Sequence, residues 1–435
     1  MTSPTQPAAN PPPARLSDND MTFWLLLALS LVAIGLGFVF TPVGEKFTGW
    51  WTILTSPSGL ITDYIEISSM GSTFFGAGVL MLASILVVRW NKLAFSGPII
   101  AGIFTLFGFA MFGKNLVNAI PIALGVALYA RIDGKRFRDY LVPALFATSL
   151  APAVSFIAFG TSLPVWAGLP LGYGLGIIIG LLVPALAPHF LNFHRGHSLY
   201  NVGFTAGIVG MIAVAVLSLF DIYVEGQNHL SSGNNLPLAV VAYSFSAVVF
   251  VAGFIINGRS TRGLLALMRR SGKLITDFVS LDGAGVTLMN MGIMGAVATT
   301  YVLAVGGDLT GPSLGGIFTI IGFAAFGKHA RNTIPIFAGV ALATLAMGAS
   351  LGSTGAVVTA LFATTLAPVA GVFGPVWGLV AGFLHMALVS NVVFLHGGLN
   401  LYNNGFAAGF VALVLIPFIE GVHRIVAKAA GRDRP

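Results

Sequence analysis

The chain reads as a succession of apolar runs separated by short polar breaks. A helix needs about 20 apolar residues to cross the hydrocarbon core of a bilayer, somewhat fewer where it is broken. On that ruler membrane segments are expected near 21–41, 71–90, 96–112, 115–131, 140–160, 166–189 and 199–220. After a polar gap they resume near 236–256, 284–304, 310–326, 329–348, 353–372, 374–395 and 401–420. That is seven plus seven. Residues 1–20, with three consecutive prolines, predict a disordered tail. The run from Met21 predicts a first span rather than a cleaved signal peptide.

The second half of this pattern copies the first. Gly102-Ile103-Phe104-Thr105, Gly108-Phe109-Ala110, Phe112-Gly113-Lys114, Asn118 and Ile120-Pro121-Ile122 return as Gly316-Ile317-Phe318-Thr319, Gly322-Phe323-Ala324, Phe326-Gly327-Lys328, Asn332 and Ile334-Pro335-Ile336, each pair 214 positions apart. Leu60-Ile61-Thr62-Asp63 returns at Leu274 with the same offset. Leu145-Phe146-Ala147-Thr148 returns at Leu361, 216 later, and Leu199-Tyr200-Asn201 at Leu401, 202 later. The shrinking offset places a deletion between Pro368 and Leu401. The organisation that follows is a tail (1–20), a first membrane repeat (21–222), a polar linker (223–234), a second repeat (235–422) and a basic C-terminal tail (423–435).

Charge orients the repeats. Lysine and arginine concentrate at Arg89 to Lys92, Arg131 to Arg138, His194 to His197, Arg259 to Lys273 and His423 to Arg434, whereas the linker around Asp221 and Glu225 has no cation. Placing the basic loops inside, as membrane insertion prefers, satisfies them all with a single threading and leaves both termini cytoplasmic. Because seven is odd, the copies then face opposite ways. The second-half equivalent of the basic Arg131 to Arg138 loop, around Gly348 to Gly352, is uncharged, as an inverted-topology repeat requires. The fold expected is an all-α polytopic membrane protein of two inverted repeats, each of about seven segments with broken or re-entrant helices.

Composition agrees. The 435 residues are 56% hydrophobic and only 8% charged, with mean hydropathy +0.91; soluble domains carry about 25% charged residues. The net charge of +7 sits in loops between spans, so nucleic acid is not an expected partner; lipid is. The 55 glycines suit close helix approach. Without cysteine there is no thiolate metal site or disulfide frame.

Lys114 and Lys328 are the candidate chemistry. A charge at the centre of a membrane helix costs roughly 2.5–3.5 kcal/mol on insertion scales, and this chain accepts it twice at matched positions. Two readings fit 96–131 and its copy: two short spans with the lysine snorkelling to the interface, or a re-entrant hairpin whose tip stays in the membrane. In the second, Asn118 and Asn332 cap half-helices whose first turns hold Pro121 and Pro335, and the paired N-termini and lysines form a site for an anion at the midplane. Asn201 and Asn403 either cap helices or offer amides to the same path. Their upstream partners His194 and His396 are candidates for a gate or proton relay. Thr148 with Pro152, and Thr364 with Pro368, mark kinks that expose backbone and permit substrate contact. Asp63 and Asp277 read as interfacial or capping residues. His194-Arg195-Gly196-His197 lacks an acidic partner, so no metal is expected; neither is any other cofactor, and no phosphate-binding loop is present.

Asn118-x-x-Pro121 in one helix, with Tyr200-Asn201-x-Gly203-Phe204 opening a later one, resembles the urea-transporter channels, which also have inverted halves. Nearly the whole chain resembles an uncharacterised family of bacterial multi-pass membrane proteins. The first resemblance implies a channel for a neutral small solute; the second implies no activity. The function expected is a transporter or channel of the cell inner (plasma) membrane for a small, preferably anionic solute. The alternatives are a urea-like channel and a membrane-embedded enzyme acting on a lipid, with His194 or Asp63 as base. Self-association is left open.

Inversion makes a direct prediction. Alkaline phosphatase fused within 228–234 or at Gly348 to Gly352 should be active, and a fluorescent protein fused at Lys92 or Gly134 should fluoresce. The reverse result at Gly348 to Gly352 would remove the inversion.

Overall fold

The computed structural model describes residues 17–224 and 228–429. Fourteen membrane segments follow one another in the predicted order. The first repeat comprises α1 (Asp18–Phe40), α2 (Met70–Trp90), α3 (Gly97–Phe109), α4 (Leu116–Ile132), α5 (Leu141–Ala147 and Ala151–Phe159, joined by a 3₁₀ turn at Thr148–Leu150), α6 (Val165–His194) and α7 (Asn201–Ser218). The second comprises α8 (Asn235–Ile256), α9 (Ala284–Ala304), α10 (Gly311–Phe323), α11 (Ala330–Ala346), α12 (Thr354–Ala363 and Ala367–Phe373, joined at Thr364–Leu366), α13 (Pro375–Val389) and α14 (Asn403–Ala429). Nine of these are long and apolar enough to cross a bilayer. The protein is therefore an all-α polytopic membrane protein with two repeats. A two-residue parallel ladder, Ile61–Thr62 with Asn228–His229, ties the linker to the first repeat.

Some boundaries differ from expectation. Ser17 caps α1 by accepting from the Asp20 N–H, so the end of the expected tail is helical; its remainder lies outside the described residues. The start of the basic tail continues α14 as far as Ala429. An additional helix, Val43–Thr55, fills a stretch with no predicted element.

The proline kinks fall where expected. In α5 and α12 the prolines follow directly on a 3₁₀ turn, whose tighter winding takes up the hydrogen bonds that proline cannot make.

Helices α3 and α10 form the centre. Each has 13 residues, about 20 Å at 1.5 Å per residue, well short of the ~30 Å hydrocarbon core. Every residue of α10 is buried, and nearly every residue of α3. They lie antiparallel, start against end. A Cβ on Gly97 would meet the Ala325 carbonyl, and one on Gly311 the Met111 carbonyl. Where the end of α3 passes the start of α10, Gly108 and Gly315 let the backbones touch: a Cβ at Gly108 would lie 2.7 Å from the Gly315 oxygen, and one at Gly315 would lie 2.1 Å from Phe112 Cε1. Equivalent helices related head to tail are the geometry of an inverted repeat, with the pseudo-dyad running between them.

The same exchange recurs at the outer ends of the pair. Asp63, fully buried, caps its own short helix through the Ile65 N–H at 2.9 Å and reaches the Gly311 N–H that opens α10. Asp277 accepts from the Gly97 N–H that opens α3, also at 2.9 Å. Each repeat thus caps the central helix of the other. Ser231 of the linker holds Asp63 through its N–H (3.1 Å) and hydroxyl (2.6 Å).

Overpacking this contact should cost about 1–3 kcal/mol. Gly315→Val is expected to lower the melting temperature of the detergent-solubilised protein clearly. Gly174→Val, where an added Cβ meets nothing within 4 Å, is expected to leave it nearly unchanged.

Candidate functional site

Between α3 and α4, and between α10 and α11, the chain reverses in a buried turn. Lys114 and Lys328 close these turns, donating their backbone N–H to Phe109 and Phe323 at 3.1 and 3.0 Å. Gly113 and Gly327 provide the left-handed step just before, at φ +78° and +114°. A reversal buried this deeply needs partners for its backbone, and one asparagine in each copy supplies them. Asn118 accepts from the Asn115 N–H (2.8 Å) and donates to the Gly113 carbonyl (3.1 Å). Asn332 does the same for His329 (2.9 Å) and Gly327 (2.9 Å).

This corrects one expectation. The helix caps are Asn115 and His329, and Asn118 and Asn332 occupy the third helical position of a capping box. Their amides are spent on the turn. Pro121 and Pro335 lie beyond the first turn and pack against Gly176 and Gly378.

The lysine side chains are 1% and 0% exposed, so neither reaches the surface as the snorkelling reading requires. Lys114 Nζ donates to Thr148 Oγ1 at 2.8 Å. Lys328 Nζ donates to Thr364 Oγ1 at 2.7 Å and to the Tyr200 hydroxyl at 2.6 Å. Both threonines open the 3₁₀ turns that break α5 and α12, so the kinks position the lysine partners. Among the described residues the ion pairs all lie elsewhere, and no carboxylate comes within 4 Å of either ammonium.

The two lysines do not meet. Because α3 and α10 run antiparallel, their C-terminal tips lie at opposite ends of a pair about 20 Å long. Between them stands an aromatic cluster built in equivalent pairs: Phe109 with Phe323, Phe112 with Phe326, Phe146 with Phe362 and Tyr200 with Tyr402. The Tyr200 and Tyr402 rings are 4.8 Å apart at its heart. Phe109 meets Tyr402 edge-to-face at 4.8 Å and Phe323 meets Tyr200 in the same way at 4.6 Å. Each ammonium lies 5.1 Å from the ring of its own repeat, Lys114 over Phe109 and Lys328 over Phe323. The two lysines therefore flank the aromatic cluster rather than share the single midplane position expected.

A cavity approaches the cluster from each side. The one on the side of the basic loops, about 250 Å³, is lined by Val142, Phe146, Tyr200, Asn201, Leu274, Phe323 and Tyr402, and reaches the cluster itself. The one on the linker side, about 290 Å³, is lined by Leu60, Ile61, Val358, Asn403 and Asn404. Leu60 and Leu274, Val142 and Val358, and Asn201 and Asn403 are equivalent pairs, so the cavities are related by the repeat. Asn201 lines the first cavity and Asn403 the second, each held by the histidine seven residues upstream: His194 to Asn201 and His396 to Asn403, both 3.0 Å.

Sequence reasoning missed the tyrosines. They sit in the Leu-Tyr-Asn motif, read for its asparagine alone. It also missed His385, 2.9 Å from Asn404, which has no counterpart in the first repeat.

The family described as "Protein of unknown function (DUF1576)" matches residues 42–219 and 256–421, one stretch in each repeat. The chain belongs to this family. No curated protein and no solved structure matches it, and the resemblance to urea-transporter channels receives no support.

Removing a hydroxyl bound to a buried ammonium costs more than removing one bound to another hydroxyl, about 1.5–3 against 0.5–1.5 kcal/mol. Tyr200→Phe should therefore destabilise the protein more than Tyr402→Phe, whose hydroxyl donates to Thr105 Oγ1 at 3.2 Å. Thermal melts of both variants in detergent check the order.

Proposed function

We propose that this protein is a transporter of the inner (plasma) membrane that passes a small anionic solute across the aromatic barrier, with Lys328 and Lys114 as successive counter-charges. The observation that carries this reading is the pair of buried lysines with no carboxylate in reach. A cation inside a membrane protein is costly and normally paired. Each of these is held only by neutral hydroxyls, which leaves donor capacity on Lys114 in particular. An arriving anion would supply the missing charge. Rocking of one repeat against the other about the α3–α10 contact would open the two equivalent cavities in turn, with Thr148, Thr364, Asn201 and Asn403 along the route.

A second reading rests on the cavity walls. The basic-side walls are apolar and aromatic and the linker-side walls apolar with hydroxyls such as Thr359 and Ser390; asparagine amides mark both, and neither lysine is among the lining residues. Such a path also suits a neutral polar solute.

Proteoliposomes decide between them. Under the first reading, uptake of at least one of chloride, formate, acetate or phosphate is saturable. Lys114→Met and Lys328→Met each reduce it about tenfold or more, equivalent to ~1.4 kcal/mol, with no change in reconstitution. Unaltered anion uptake in the double variant overturns the lysine assignment. Urea flux in the absence of anion flux, measured by light scattering, selects the second reading.

A further inference from the structure

A third cavity, of about 270 Å³, opens on the side of the basic loops beside the turn that carries Lys328. Its walls come from the loop at Arg269 and Arg270, the start of α11 at His329 and Arg331, and the end of α12 at Gly371 to Gly374. The polar groups around it divide into spent and unspent. Arg270 is neutralised by Asp282, which accepts from Nε at 2.6 Å and from a terminal nitrogen at 2.9 Å. Both ring nitrogens of His329 are used. Nδ1 caps the Asn332 N–H, and Nε2 lies 2.9 Å from the Arg270 carbonyl, pinning the arginine loop onto the start of α11.

Arg269 and Arg331 remain. Both are exposed, and neither has a carboxylate partner among the described residues. They line the same cavity with their charges uncompensated. The repeat shows that this is not a packing requirement. The equivalent first-repeat positions, 214 earlier, are Thr55 and Val117, and the cap equivalent to His329 is Asn115. The charge exists on one face only.

We propose that this cavity binds a phosphate-type oxyanion, clamped by Arg269 and Arg331. Two planar guanidinium forks match the paired oxygens of a phosphate and balance its charge. The open N–H groups in the first turn of the 17-residue α11 add to the attraction. The same chemistry is offered by free inorganic phosphate and by the headgroup of an anionic lipid, and a basic pocket between membrane helices suits either. The site is separate from the two buried lysines, and its occupancy does not depend on what they carry.

The test uses the full chain in phosphatidylcholine nanodiscs, titrated with inorganic phosphate and read by thermal stabilisation. Saturable stabilisation is expected. Arg269→Gln/Arg331→Gln should weaken the apparent affinity about 10- to 100-fold. Arg331→Lys, which keeps the charge and loses the fork, should fall between. Lys92→Gln, on a basic loop of the first repeat, should match the wild type. Adding phosphatidylglycerol distinguishes the sources: loss of the phosphate response identifies the headgroup as ligand, and a retained response identifies the free anion. The proposal is overturned if the double variant responds to phosphate as the wild type does. It is equally overturned if the wild type neither responds to phosphate nor retains more phosphatidylglycerol than the double variant in native mass spectrometry.

Discussion

The contact between Gly108 and Gly315 is the constraint from which the remaining geometry follows. A side chain on Gly108 would collide with the Gly315 backbone, as one on the equivalent Gly322 would with Ala101, and this close approach fixes α3 and α10 as one antiparallel unit rather than two neighbours. Once they are paired, the N-terminus of each lies beside the far end of the other. Asp63 and Asp277 can then cap across the repeats. Those caps satisfy the free N–H groups of helices too short to reach water, where an unpaired group would be expensive. The hairpin tips are thereby sent in opposite directions, and each lysine is delivered to its own side of the aromatic cluster.

The cluster is a consequence of the same pairing. Phe109 and Phe323 end the two central helices, and the Leu-Tyr-Asn segments thread between them. The Leu199 N–H donates to the Thr365 carbonyl and the Leu401 N–H to that of Ser149, so each segment is fastened to the broken helix of the opposite repeat. The kinks in α5 and α12 thus do two things. They expose a carbonyl for a segment from across the dyad, and they turn Thr148 and Thr364 toward the lysines.

Much of this was legible in the chain. Fourteen segments, their duplication and the breaks at Pro152 and Pro368 are written in apolar runs and ungapped offsets. What was not legible is which residues meet across the dyad, because offsets identify equivalent positions and say nothing of distance. Lys114 and Lys328 are perfect equivalents and still lie at opposite ends of the central pair. Asn118 was misread for a related reason. An asparagine before an apolar helix looks like a cap, but the turn needed a capping box, and that put Asn115 and His329 at the cap and Asn118 three residues inside. Tyr200 and Tyr402 escaped notice because an aromatic residue in an apolar run carries no polar signature until its hydroxyl is seen to be paired.

Within the aromatic cluster the pseudo-symmetry is broken at one bond. Tyr200 and Tyr402 have the same two prospective partners, a lysine and a threonine at equivalent positions. Tyr200 accepts from Lys328, whereas Tyr402 donates to Thr105 and leaves Lys114 with Thr148 alone. Thr319, the equivalent of Thr105, turns back to the Gly315 carbonyl. The cavity on the basic side reaches both tyrosines and the one on the linker side reaches neither. Equivalent tyrosines thus adopt two different arrangements, one bound to the lysine of a hairpin tip and the other to a threonine of the central helix.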